Sequence, residues 1–140
     1  MVKLPIDVKF IIHLHKADRA GTHHDLRIQH PDRKNRWISF AIRKGMPLVP
    51  GKRVLAVETH VHSDEQALFT GHIKQGYGAG HLSVYDSGIA TIEKFTSAHI
   101  KLIMDGRKVN GPYQLINVGV SRKGIHEYKE KKYMIFKTKT

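Results

Sequence analysis

Nine short β-rich runs, nearly all separated by clusters of glycine, proline, asparagine and aspartate, leave this chain little choice of fold class. The runs are Lys9 to His15, His23 to Gln29, Trp37 to Ile42, Val54 to Val61, Ala67 to Ile73, His81 to Tyr85, Ile100 to Met104, Tyr113 to Val118 and Tyr133 to Lys137. Between them stand His30-Pro31-Asp32, Pro47 to Gly51, Gly76 to Gly80, Asp86-Ser87-Gly88, Asp105-Gly106 and Asn110-Gly111-Pro112, residues that set turns because they accept unusual backbone angles or bond their own main chain. Helical periodicity is weak, and its best candidates are a short turn around Thr96 to His99 and the Asp18 to Gly21 loop. A barrel or sandwich follows. The expected architecture is all-β, or β-rich with minor helix: a closed or nearly closed β-barrel of about eight strands with short flanking helical turns. The 140 residues contain no repeat, linker or low-complexity segment, and one domain over residues 1–140 is expected.

Charge narrows the partner. Lys and Arg number 24 against 12 Asp and Glu, a formal net charge of +12 spread along the chain. Nucleic acid is the leading candidate, because phosphate neutralisation by Lys and Arg gives affinity whatever the base sequence; a merely soluble basic protein is the plainer alternative. The absence of cysteine excludes disulfides, thiolate zinc ligands and a cysteine nucleophile. The apolar run in MVKLPIDVKFIIHLH is too short and wrongly flanked for a signal peptide, and no stretch has the ~20 apolar residues of a membrane helix. The expectation is a soluble, intracellular, cytoplasmic monomer without a membrane partner.

The chemistry concentrates in HKADRAGTHHDLRIQH. If residues 23 to 28 form a strand, His23, Asp25 and Arg27 face one way and Leu26 and Ile28 face the core, because side chains alternate. Groups on one strand face lie roughly 6.5–7 Å apart, so imidazole, carboxylate and guanidinium would line a groove with His15 supplied by a neighbouring strand. That is an open metal site beside an anion. An ordinary Asp–His hydrogen bond is the plainer reading of the pair alone. His24, of opposite parity, reads as a packed or surface histidine; His13, of the same parity as His15, reads as solvated or hydrogen-bonded.

Further motifs fit one family. Phe10-Ile11-Ile12-His13-Leu14-His15-Lys16-Ala17, His23-His24-Asp25-Leu26-Arg27-Ile28, the Trp37 to Gly45 strand, Leu55-Ala56-Val57, Phe69-x-Gly71-x-Ile73, Tyr77-Gly78-Ala79-Gly80, the Gly106 to Leu115 segment and Tyr133 to Lys137 follow in order. Together they resemble the 3′-phosphoesterase domain of the ligase D type of DNA repair ligase, a metal-dependent module that trims 3′ ends. The resemblance implies that His15, His23 and Asp25 hold a manganese-type ion, with Zn²⁺ or Co²⁺ also suited to these ligands. It implies that Arg27 binds the scissile phosphate, and that His62 contacts phosphate or donates a proton to the leaving oxygen. His60 is the competing alignment for that role. Gln66 stands where the family has a tyrosine and would offer phosphate an amide in place of a phenol. Two residues more than usual separate His15 from His23, so the Asp18 to Thr22 loop must bulge, and the run before Tyr77 is one residue short.

Lys44, Lys52 and Arg53 are expected to track a nucleic-acid backbone. Trp37 and Phe40 are expected in the core, with stacking on a base as the alternative. The polar run Ser121 to Lys132 reads as a solvated hairpin tip, with a mobile substrate-binding loop as the alternative. The activity implied is manganese-dependent hydrolysis by a 3′-phosphodiesterase and 3′-phosphomonoesterase, acting on DNA or RNA ends or a primer-template in repair, beside a DNA ligase or polymerase in trans. The alternatives are a catalytically weak or inactive nucleic-acid-binding module of the same fold, and a phosphoesterase for another phosphate ester.

Overall fold

The computed structural model describes residues 2–76, 79–123 and 128–139. Within them the chain runs β1 (Ile6–Ala17), β2 (Gly21–Gln29), β3 (Trp37–Ile42), β4 (Arg53–Glu58), α1 (Asp64–Leu68), β5 (Gly71–Ile73), β6 (Gly80–Phe95), β7 (His99–Asp105), β8 (Asn110–Lys123) and β9 (Tyr128–Lys137). The sheet order is β1-β2-β3-β4-β9-β8-β7-β6-β5, and β1 also pairs with β6, so eight antiparallel strands close on themselves while β5 lies outside the ring. The expected closed eight-stranded barrel is what forms, and closure leaves the ring without an open edge.

Alternation sorts the strands into an inner and an outer face. Phe10, Ile12, Leu26, Ile28, Phe40, Ile42, Ala90, Ile92, Leu102, Leu115 and Ile135 are buried in one interior cluster. Each large aliphatic or aromatic side chain taken fully out of water there contributes about 1.5–3 kcal/mol. Residues directly opposite across an antiparallel pair share a face. The pair Ile12–Leu26 is interior; Ile11–Arg27, His13–Asp25 and His15–His23 are therefore on the outer wall, and Arg27–Ser39 extends that row onto β3. A second, smaller cluster of Ile11, Trp37 and Ala67 lies on that outer wall.

The strap formed by residues 59–70 makes the second cluster. After β4 the chain leaves the ring, Trp37 and His62 form an isolated antiparallel bridge, and α1 seats Ala67 against the wall before β5 pairs with β6. Of the expected Ala67 to Ile73 strand, only Gly71–Ile73 forms β5, while Ala67 and Leu68 end α1. Ser63 and Gln66 form a reciprocal capping box with Asp64 and Glu65 in the first turn, and that local pairing wins over β propensity until Gly71. The expected Val54 to Val61 strand likewise ends at Glu58.

Other turn expectations are corrected by tertiary partners. Asp86-Ser87-Gly88 is no turn; it lies within the 16-residue β6. Asp86 faces inward, where its carboxylate accepts backbone N–H groups from Ser87, Arg107, Lys108 and Val109 at 2.8–3.0 Å and so draws the β7–β8 turn against the barrel mouth. Glycine at 106 is required by this packing, since a Cβ there would meet the Asp86 carboxylate and the Phe10 ring. Thr96 to His99 is a non-helical connection closed by Thr96 and His99 hydrogen bonds. Of Asp18 to Gly21, residues 18–20 are the β1–β2 hairpin connection and Gly21 opens β2. No bulge forms there, because β1 and β2 keep register through Ala17–Gly21 and the turn itself takes up the added length. Tyr77 and Gly78 of the glycine-rich motif, and residues 124–127 of the Ser121 to Lys132 run, lie outside the described residues.

Candidate metal centre

Strand pairing brings the chemistry together. His15 and His23 are directly opposite on β1 and β2, their ring centroids 4.7 Å apart, and Asp25 lies two residues along on the same wall. His15 Nδ1 is 2.9 Å from Asp25 Oδ2, and His23 Nε2 is 3.0 Å from Asp25 Oδ1. One ligand atom from each of the three falls within 4.8 Å of the others, and all three residues are buried. Two imidazoles and one carboxylate are a donor set for a divalent transition metal, so the group fits such an ion. Burial works against charge on Asp25, but hydrogen bonds from His15 and His23 and the nearby Arg27 overcome it and hold the carboxyl well below the usual range. It is ionised, as a ligand must be.

Arg27 completes the row. Its Nη2 is 3.7 Å from Asp25 Oδ2 and its Nε donates to His13 Nδ1 at 3.1 Å. Among the described residues, Arg27 Nη1 and His13 Nε2 are the buried side-chain atoms without a hydrogen-bond partner. A buried, unpartnered donor costs about 1–3 kcal/mol, so two in one place mark a site built for something else to bind. Of the two readings of His13, solvated or hydrogen-bonded, the second holds: the ring is fully enclosed and bonded to Arg27. Burial and Arg27 push its imidazole down to about 4. Its shared parity with His15 is the available signal.

The strap supplies His62. Its Nδ1 is 2.9 Å from Ser39 Oγ, across from Arg27 on β3. Burial and the Arg27 charge lower it to about 4, so it is neutral near pH 7. Trp37 Nε1 donates to Asp64 Oδ1 at 2.7 Å, and Asn35 Oδ1 accepts from Asp64 N at 2.7 Å, anchoring the strap that carries it. This anchor is not legible in sequence, where Trp37 reads as core or as a base-stacking ring. His60 is exposed. Gln66 is also exposed, and its side-chain oxygen accepts from Ser63 N at 3.0 Å in the helix cap.

The basic residues are spread over the surface. Exposed Lys44, with Arg43, Thr22, His23, His24 and Met46, lines a cavity of about 250 Å³ at the barrel mouth. Lys52 is exposed, and the exposed Arg53 carries its guanidinium 4.7 Å over the Phe136 ring. His24 is packed: its Nδ1 accepts from Met46 N at 2.9 Å, and its ring lies 4.2 Å from that of Tyr85. No helix among the described residues is long and apolar enough to cross a membrane.

Fold and site together define a closed antiparallel β-barrel that carries, on its outer wall, a His–His–Asp group able to hold a divalent metal and a buried arginine with an unpartnered donor. The family model for the DNA ligase D 3′-phosphoesterase domain matches residues 13–117, and the chain belongs to that family. It is 35% identical over 136 aligned residues to the multifunctional non-homologous end joining protein LigD of Mycolicibacterium smegmatis, covering 89% of this chain and 17% of that protein. It is 33% identical over 114 residues to the protein of the same name from Pseudomonas aeruginosa, covering 77% of this chain and 13% of that one. The chain thus spans about a sixth or less of the length of these relatives.

Proposed function

We propose that this chain is a single-domain, manganese-dependent 3′-end-processing phosphoesterase, removing a 3′-terminal ribonucleotide or 3′-phosphate from DNA or RNA ends so that a ligase or polymerase can use the 3′-OH. The observation that carries this reading is the convergence of His15, His23 and Asp25 beside a buried arginine donor that has no partner among the described residues. A divalent ion held by those three residues would supply Lewis-acid activation of phosphate and water. Arg27 binds the phosphate through Nη1, whose N–H groups are still available while the rest of the planar fork stays on His13 and Asp25, an arrangement a lysine cannot reproduce.

His62 works as a neutral hydrogen-bond partner of that phosphate. An arriving dianion offsets the Arg27 charge and raises the imidazole pKa, which moves His62 toward handing a proton to the leaving oxygen. Gln66 adds a phosphate contact through its amide. Lys44, Lys52 and Arg53 follow the nucleic-acid backbone, in keeping with the +12 charge. The expected setting is the cytoplasm, as a monomer with a DNA ligase or polymerase as partner in trans.

The test is trimming of a labelled primer-template ending in a 3′-ribonucleotide or 3′-phosphate, with Mn²⁺, by this chain and by its His23→Ala and Asp25→Ala variants. Metal-dependent cleavage that is lost in both variants supports the reading. Intact DNA binding without cleavage under Mn²⁺, Zn²⁺ or Co²⁺ overturns it in favour of a binding module.

A further inference from the structure

We propose that His13 is a positioning residue that fixes the Arg27 guanidinium so that Nη1 is presented to the substrate phosphate. The inference deepens the phosphoesterase reading and rests on it. His13 is directly across from Asp25 on β1 and β2 and has no solvent exposure. Arg27 Nε lies 3.1 Å from its Nδ1. A guanidinium donates only, so Nδ1 must be the acceptor and the ring proton must sit on Nε2. With Nη2 directed at Asp25, two of the three guanidinium nitrogens are engaged, and Nη1 is the one left buried without a partner among the described residues.

Local backbone geometry fits this role. The β1–β6 register shifts between Ile12 and His13 because β6 carries one extra residue, Tyr85, so β1 itself stays regular and keeps His13 in register opposite Asp25. Packing alone does not account for the residue, since an apolar side chain would fill the space without burying the unpartnered Nε2–H. An unheld arginine would surrender rotamer entropy on gripping phosphate; one already clamped surrenders less.

Two variants separate positioning from packing: His13→Gln keeps an acceptor, and His13→Leu keeps only bulk. The readouts are the ¹⁵N shifts of His13, exchange protection of the Arg27 Nε–H, and calorimetric affinity for inorganic phosphate, with melting temperature as control. The wild type is expected to show the Nε2–H tautomer and a protected Arg27 Nε–H. His13→Leu should lose that protection and bind phosphate about tenfold or more weakly, and His13→Gln should stay within about threefold of wild type. An Nδ1–H tautomer in the wild type overturns the proposal without recourse to any variant. So does wild-type phosphate affinity in His13→Leu, or a His13→Gln variant that falls as far as His13→Leu. If the wild type binds phosphate but cleaves no 3′ end, the phosphoesterase reading fails while the tautomer and protection still decide the His13–Arg27 contact.

Discussion

Arg27 sits between a carboxylate it can pair with and an imidazole it can only donate to. Its geometry therefore carries more than its charge. Arg27→Lys keeps the charge but loses the fork, and a lysine ammonium cannot engage His13, Asp25 and a phosphate in one plane. The expected outcome is a fall in kcat/KM of about 10²-fold, read from the hydrolysis of a 3′-phosphate end, with the fold intact by circular dichroism. The wall that holds this residue is legible in the amino-acid sequence, since strand alternation alone separates His23, Asp25 and Arg27 from Leu26 and Ile28. His13 is less legible: parity gives its face, but not its enclosure or its bond to Arg27, because those depend on the β1–β2 register and on the packing of residues distant in the chain.

At the scale of elements, the strap makes the outer wall into a site. His62 belongs to none of the barrel strands and reaches the Arg27 row because residues 59–70 cross that wall, anchored by Trp37, Asn35 and Ala67. Trp37→Phe keeps the ring but removes the indole N–H that Asp64 accepts. Loss of that bond, worth about 1 kcal/mol, should speed local opening roughly fivefold, measured as faster hydrogen exchange of the 62 and 67 amides with little change at β1 and β2. The barrel strands are readable from alternation and turn residues. The strap is not: the Ser63–Gln66 capping box competes in sequence with the apolar run that follows it, and the Trp37–Asp64 bond joins residues far apart in the chain. Asp86 misleads in the opposite way, since an Asp-Ser-Gly run signals a turn unless a carboxylate has four backbone donors waiting for it inside a barrel.

For the molecule as a whole, closure of the ring and of its mouth sets the response to acid. Burial disfavours the Asp86 charge, but its backbone hydrogen bonds outweigh that and hold its pKa below the ordinary 3.8. Its contribution is complete above that value and is lost as pH falls through the lower, folded one. His62 acts earlier. Its folded pKa of about 4 lies below the ordinary 6.5, so the unfolded chain takes up a proton first and stability declines as pH falls from about 6.5 toward 4. Asp86→Asn should cost about 2 kcal/mol at neutral pH, a drop in Tm of roughly 5–10 °C, and should flatten the acid limb of a Tm–pH curve only below about pH 4.

On the proposed function, the outer wall would hold one catalytic divalent ion. Crystals of the chain soaked in Mn²⁺ and measured for anomalous scattering test it most directly. One strong peak is expected among His15, His23 and Asp25, and it disappears in Asp25→Ala crystals. Strong peaks only elsewhere on the chain, or a peak that survives Asp25→Ala, would contradict it.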